Sequence, residues 1–410
     1  MVLSNGTTPT AWELGELLTE AVRTGAVPGA TAVLVTPDGT VHAACAGVEN
    51  VDGGAPLSAS TMFRYASMSK VLTTVGALQL IERGQLQFDQ EVTSILPDFG
   101  RLQVLEGFDG ERPRLRPPVR QATVGHLLNH TSGLGYFFCN PDVRRYHEAV
   151  GLPLGVGALN GAASLAAPLV ADPGTVWEYG VSTDYLGLVI EAVSGLRLDT
   201  YLRTNVFEPL GMKDTTFRPS PEQRARLMRV HRRDAETGRI HTRDDILDAD
   251  SGLDSGGSGA YGTALDYARF ACALLRGGEL DGSVILAPET VDRMFTDGLG
   301  QVRFPDGITS VDAALMEDAT FPPSGGDFTL GLHVTRHATP GMRRAGSGGW
   351  DGIFNTQFWV DRAEGIAAVL MTQMLPSGDA GVLALQAEFE RRVYKSAPAP
   401  AGTGTDFRSP

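Results

Sequence analysis

Ser67-Met68-Ser69-Lys70-Val71-Leu72-Thr73-Thr74-Val75-Gly76-Ala77-Leu78-Gln79-Leu80-Ile81-Glu82-Arg83-Gly84 is the stretch on which the reading of this chain turns. Its apolar residues, Val71, Leu72, Val75, Ala77, Leu78, Leu80 and Ile81, point in nearly every direction around a 3.6-residue period, and Gly84 supplies a C-terminal cap. A helix of that kind belongs in the interior, and it carries a lysine in its first turn. Lysines stand only at 70, 213 and 395 among basic residues that are otherwise arginine, and only Lys70 has a serine three positions earlier. Arginine cannot release its proton in a protein, whereas a buried lysine can. Two readings follow. Ser67 is a helix N-cap and Lys70 a snorkelling surface residue, or Ser67 is a nucleophile at the positive end of a helix with Lys70 one turn away as its proton partner. The second requires lysine to fall roughly three units from about 10.4, a differential of about 4 kcal/mol, which burial can supply.

The rest of the composition narrows the class. With 410 residues and 42% hydrophobic content the chain can bury a large core. A formal charge of −14 argues against a nucleic-acid partner, which selects clustered Lys and Arg. Cys45, Cys139 and Cys272 are odd in number and far apart, so neither a disulfide framework nor a zinc site is expected, and a reducing, cytoplasmic setting fits. No signal-peptide pattern is seen between Met1 and Gly15, and no apolar run is long enough for a membrane helix. The segment from Ser396 to Pro410 is rich in Pro, Ala, Gly and Thr and is expected to be a disordered tail.

Periodicity orders the remainder. Trp12 to Arg23 has a helical apolar face. Ala30–Thr36 and Thr40–Ala46 flank an Asp38-Gly39 turn and read as a hairpin. Phe328–Val334, Ile353–Val360 and Ile366–Thr372 read as strands, followed by a helix from Ala380 to Tyr394. Between the two ends the pattern is mostly helical, with helices at Tyr185–Val193 and Leu198–Phe207. Gly100–Arg120 and Gly298–Gly326 read as Pro/Gly-rich loops. The fold class expected is α+β: one antiparallel sheet built from both ends of the chain, flanked by helices, with a mostly helical insertion.

Two further segments bear on Ser67. One is Asp172-Pro173-Gly174-Thr175-Val176-Trp177-Glu178-Tyr179-Gly180-Val181. The other is Gly349-Trp350-Asp351-Gly352-Ile353. Taken with Ser67-x-x-Lys70, and with His126-Leu127-Leu128-Asn129-His130-Thr131-Ser132-Gly133-Leu134 between, their order resembles that of the serine β-lactamase and penicillin-binding-protein-like superfamily. The resemblance is nearest to its family VIII carboxylesterases and fungal lovastatin acyltransferases. Val104-Leu105-Glu106-Gly107-Phe108-Asp109 and Glu208-Pro209-Leu210-Gly211-Met212 are especially similar to the acyltransferases. The likeness runs from about Glu13 to Tyr394.

The resemblance implies a single β-lactamase-like catalytic domain over residues 10–395. Its sheet lobe would span about 10–64 and 325–395, its mostly helical lobe about 65–324, and the site would lie at the cleft between them. It implies a serine esterase working through an acyl-enzyme on Ser67, with Lys70 as proton partner and Tyr179 as a phenolate-like general base depressed by Lys70's charge. The backbone N–H groups of Ser67 and Ile353 would form the oxyanion hole, and Gly352 would let its strand approach the substrate closely. Trp350, Asp351, Gly352 and Tyr136 are the expected substrate-binding residues. The ligand is a small-molecule ester; no cofactor, metal, nucleic acid or membrane is expected, and an acyl carrier enters by analogy only.

This chain also departs from the superfamily. Where lactamases and transpeptidases place a lysine or histidine for the substrate carboxylate, it has Trp350, and where they place an asparagine beside the lactam amide, it has Val181. Both changes favour neutral, apolar acyl or alkyl groups over β-lactams, and Asp351 is expected to add a negative charge beside the site. Acyl transfer to an alcohol is the near alternative to hydrolysis; β-lactamase activity and a non-catalytic scaffold rank behind. Tyr136-Phe137-Phe138 is either an acyl-pocket wall or ordinary core. His126 and His130 have i, i+4 spacing but no intervening glutamate, and are read as structural. No serine sits in a Gly-x-Ser-x-Gly elbow, which disfavours a histidine triad. The Ser255–Gly262 stretch is read as a loop near the cleft.

Overall fold

The computed structural model describes residues 11–395, apart from 37–38, 160–161, 235, 244–245, 247–251, 297 and 322–325. The expected tail at 396–410 and Asp38 of the hairpin turn lie outside the described residues. An N-terminal helix α1 (Ala11–Arg23) leads into strands β1 (Gly29–Val35) and β2 (Val41–Gly47). The interior helix α2 (Ser69–Glu82) follows, then the hairpin strands β3 (Val104–Asp109) and β4 (Arg112–Arg116), helix α3 (Ser182–Ser194) and helix α4 (Ala264–Leu275). The chain returns to the sheet with β5 (Gly326–Phe328), β6 (His333–Thr335), β7 (Gly348–Gly352), β8 (Thr356–Asp361) and β9 (Ile366–Met371), and closes with helix α5 (Ala380–Tyr394).

The main sheet has seven strands in the order β5-β6-β7-β8-β9-β1-β2, every neighbour antiparallel. The centre of the sheet joins the two ends of the chain, since β1 pairs with β9 in the register Thr31↔Met371. Every residue of β1 is buried because both faces of the sheet are covered, which is why its sequence lacks polar alternation. Ala32 and Leu34 pack with Leu370 and Trp359 against Leu14 and Leu18 of α1 and Leu385 and Phe389 of α5. Val33 and Val35 face the other way, with Phe358, Val369 and Phe270 of α4. That second core continues without a break through the helical part of the molecule, where α2 packs on α3.

Several local expectations needed correction. Gly100–Arg120, read as a loop, contains the β3–β4 hairpin; its register shifts between Leu105 and Gly107, and the bulge together with Pro113 breaks the two-residue period that marks a strand. The strand expected over Phe328–Val334 is split, because the chain turns at Gly331 (φ +79°) and Thr329 Oγ donates to the Met294 and Leu332 carbonyls. The strand expected from Ile353 begins only at Thr356, after a turn through Asn355 (φ +62°). The helix expected from Ser67 begins as a tight 3-10 turn, Ala66–Met68, and becomes α-helical at Ser69. Leu198–Phe207 is a short α-helix to Leu202 and then a wider π turn. The described residues of Gly298–Gly326 are mainly loop, with a two-residue pairing of Gly307–Ile308 and Ala319–Thr320 among them. Among the described residues no helix is long and apolar enough to cross a membrane.

Candidate active site

Ser67 lies where strand β7 of the sheet meets the helical part. The preceding residue, Ala66, has φ +48°, a left-handed conformation that costs an L-residue with a side chain about 1–2 kcal/mol. Neighbours hold the turn in place. Tyr65 is fully buried, donates its phenol hydrogen to the Thr263 carbonyl at 2.7 Å and sets its ring edge-on to Tyr267. Ser69 Oγ accepts from the Ala260 amide at 3.0 Å. From the sheet side, Gly352 reaches the same turn so closely that a Cβ there would sit 2.5 Å from the Tyr65 carbonyl oxygen. Ile353 therefore follows directly on the residue that touches the Ser67 turn.

Two of the anticipated side chains converge on the Ser67 hydroxyl. Lys70 Nζ donates to Ser67 Oγ at 3.1 Å, and Tyr179 Oη donates to the same oxygen at 2.7 Å. Lys70 is buried, 1% exposed, whereas Ser67 is only partly covered, so the oxygen is open to a ligand and its proton partner is not. The two remaining donor directions of Lys70 go to Tyr136 Oη at 3.1 Å and the Gly257 carbonyl at 2.9 Å. Its ammonium also lies 4.8 Å from the centre of the Tyr179 ring, within cation–π range. Trp350 Nε1 donates to Tyr179 Oη at 3.4 Å and packs edgewise against Phe328.

Backbone zippering fixes Tyr179. The Glu178 amide donates to the His130 carbonyl and the Tyr136 amide to the Tyr179 carbonyl, joining the 130–136 and 178–180 segments. Gly180 makes this possible, because a Cβ there would fall 2.0 Å from the Leu134 carbonyl oxygen. His130 (φ +58°) is buried beside Tyr179, while His126 Nδ1 accepts from the Thr123 amide in a capping box. The histidines do not share a helix face: the helix carrying His126 ends at Leu128, before His130.

Burial governs the protonation states. It lowers Lys70 to about 8, with Asp184 opposing the shift. It raises Tyr179 well above an ordinary phenol, and the hydrogen bonds with Ser67 and Trp350 only partly offset this. Burial pushes the Tyr179 phenol up, the opposite direction from the depression by Lys70 expected from sequence. Tyr136 is likewise raised by burial and is a neutral hydrogen-bond partner of Lys70 rather than only a pocket wall.

One other anticipated residue, Asp351, sits differently from the sequence reading. Cross-strand pairing sets Trp350 opposite Phe358 on the Ser67 side of the sheet and Asp351 opposite Gln357 on the other. Asp351 opens onto a cleft of about 530 Å³ that Trp350, Gly352, Arg343 and Glu390 also line. Val181 is buried at the N-terminus of α3. The sequence reading missed Asp184 and the Gly257 carbonyl. Asp184 follows Tyr179 by five residues, and Gly257 lies in a loop already placed near the cleft, but nothing local ties either to Lys70.

The family described as beta-lactamase matches residues 14–391 of this chain. Monacolin J acid methylbutanoyltransferase of Aspergillus terreus (strain NIH 2624 / FGSC A1156) is 32% identical over 395 residues, covering 92% of this chain and 93% of that protein. Lovastatin esterase of Penicillium rubens (strain ATCC 28089 / DSM 1075 / NRRL 1951 / Wisconsin 54-1255) is 28% identical over 393 residues, covering 92% and 96%. Among solved structures, unliganded simvastatin synthase of Aspergillus terreus, as its selenomethionyl derivative, superposes with a TM-score of 0.81 at 29% identity, covering 95% of this chain and 99% of that one.

Proposed function

This chain belongs to the beta-lactamase family, and within it we propose a carboxylesterase of the family VIII type that forms an acyl-enzyme on Ser67. Relatives named as a methylbutanoyltransferase and as an esterase support an ester-handling enzyme. The observation that carries the reading is Ser67 Oγ held between Lys70 Nζ at 3.1 Å and Tyr179 Oη at 2.7 Å. Burial keeps Lys70 within reach of its neutral form and Tyr179 protonated, which supports Lys70 as the first base and Tyr179 as the acid.

Neutral Lys70 takes the Ser67 hydroxyl proton as Oγ bonds to the ester carbonyl carbon. The Ser67 and Ile353 amides face the oxyanion that forms. The bond to the leaving oxygen then breaks while Tyr179 gives that oxygen its phenolic proton, and the Lys70 ammonium restores the proton to Tyr179. In the second half water loses a proton to Lys70 and attacks the acyl carbon; Ser67 Oγ departs and recovers its proton from Lys70. The aromatic group of Tyr136, Phe138, Tyr179 and Trp350 presents apolar ring surface beside Ser67, which suits neutral acyl groups.

Transfer to an alcohol is the second reading, favoured by the relatives named as acyltransferases. It differs only in what attacks the acyl-enzyme. A time course with a short-chain p-nitrophenyl ester, with and without added alcohol, tests both readings. Hydrolysis unaffected by alcohol supports the esterase, and product shifting to the new ester supports transfer. A chain that turns over no ester and whose Ser67 resists a serine-directed phosphonate overturns both.

A further inference from the structure

Asp184 is 1% exposed, in the first turn of α3, and the acid–base scheme above does not use it. Its Oδ1 accepts from Ser255 Oγ at 2.5 Å and from the Gly257 amide at 3.1 Å. The carbonyl of Gly257 in turn accepts from Lys70 Nζ at 2.9 Å. A Cβ on Gly257 would fall 2.4 Å from Asp184 Oδ2, so a glycine is needed for the loop to lie against the carboxylate. Thr73 Oγ of α2 donates to the Gly256 carbonyl at 2.8 Å and pins the same loop to the helix that carries Lys70.

The groups around Lys70 leave Asp184 as its counter-charge. Tyr136 and Cys139 face it from the 136–139 segment, Tyr179 from the stretch before α3, and His130 from the turn behind Tyr179. Burial raises the Tyr136, Tyr179 and Cys139 acids and lowers His130, which leaves all four uncharged near neutrality. Burial raises the Asp184 carboxyl, while the Lys70 charge and the donors Ser255 Oγ and Gly257 N–H pull it back and favour its ionised form.

We propose that Asp184 is a positioning residue for Lys70: through the Gly257 carbonyl it aims Nζ at Ser67 Oγ, and as a buried anion it stabilises the ammonium formed when Lys70 takes the serine proton. The proposal rests on Lys70 acting as the base. Burial without a counter-charge would leave the lysine too weak a base to accept a serine proton, whereas a fixed carboxylate that does not touch Nζ offsets burial without competing for the proton.

The pH profile of kcat/KM for a short-chain p-nitrophenyl ester tests it. In the wild-type chain the rising limb follows the loss of the Lys70 proton. Asp184→Asn, which keeps the shape and removes the charge, is expected to move that limb down by about one pH unit and to lower the plateau at least about tenfold. Ser255→Ala keeps the charge and loosens the loop, so it is expected to lower the rate with the limb in place. A folded Asp184→Asn chain whose limb does not move overturns the proposal, however low its rate.

The three lysines allow a second measurement on the wild-type chain. The 15N resonance of Lys70 Nζ is expected to shift once as it titrates and again at acidic pH as Asp184 protonates. A single-step curve overturns the proposal even if Asp184→Asn fails to fold. Wild-type chain with no ester turnover sinks the function itself; turnover with an unmoved limb sinks only the role of Asp184.

Discussion

Around Ser67 Oγ, the loss of water decides which neighbour can take a proton. Desolvation pushes an amine down and a phenol up, so Lys70 near 8 and a raised Tyr179 diverge from their ordinary values of about 10.4 and 10. With Lys70 as base, kcat/KM rises with pH through about 8, because the protonated ammonium below that value cannot accept the serine proton. A pH–rate curve flat from 6 to 9 would contradict this. Lys70→Arg keeps a cation but removes the titration and is expected to lower kcat by about 10²–10⁴-fold at every pH. Tyr179→Phe removes the acid and is expected to cost a similar factor, and less on esters with good leaving groups, which single-turnover comparison of p-nitrophenyl and alkyl esters would reveal. The residue types at 67, 70 and 179 were legible because short motifs carry them. Protonation was not legible, since it depends on how much protein surrounds each group. The face taken by Asp351, opposite to that of Trp350, follows from strand alternation once β7 is placed.

At the scale of elements, the site depends on two backbone approaches that only glycine allows. A Cβ on Gly352 would lie 2.2 Å from Thr356 Oγ and 2.5 Å from the Tyr65 carbonyl, so Gly352→Ala must push the end of β7 away from the Ser67 turn. We expect kcat/KM to fall by about 10²-fold, the effect of displacing a reacting group by roughly an ångström. The loss of stability should be smaller; activity together with thermal melting checks both parts, and an unchanged kcat/KM would sink the argument. Gly180→Ala meets the Leu134 carbonyl at 2.0 Å and should likewise lower activity by displacing Tyr179. Long periodic elements such as α2 and α5 were readable from sequence because each presents many apolar residues at one spacing. The β3–β4 hairpin was not, because a bulge and Pro113 interrupt its alternation, and the β5–β6 break was hidden by the apolar run Phe328 to Val334 around Gly331.

For the whole molecule, the formal charge of −14 acts at long range on charged ligands. An ester bearing a carboxylate is expected to react more slowly than a neutral ester of the same size, with the gap narrowing as salt rises from about 10 mM to 150 mM and the Debye length falls from about 30 to 8 Å. A gap that is independent of salt would place the discrimination in contacts at the site instead. The layout of the sheet came from pattern at the two ends of the chain, whereas the continuous core that joins sheet and helices emerges only in three dimensions. The pairing of β1 with β9 also has a consequence during synthesis. β2 covers one edge of β1 almost at once, but Met371, the partner of Thr31, is added 340 residues later. At about 5–20 residues per second, on the order of half a minute passes with the other edge of β1 open. A ribosome-bound nascent chain therefore carries an unpaired apolar strand edge until nearly all of the helical part has emerged, and this interval is when it most needs shielding from its neighbours.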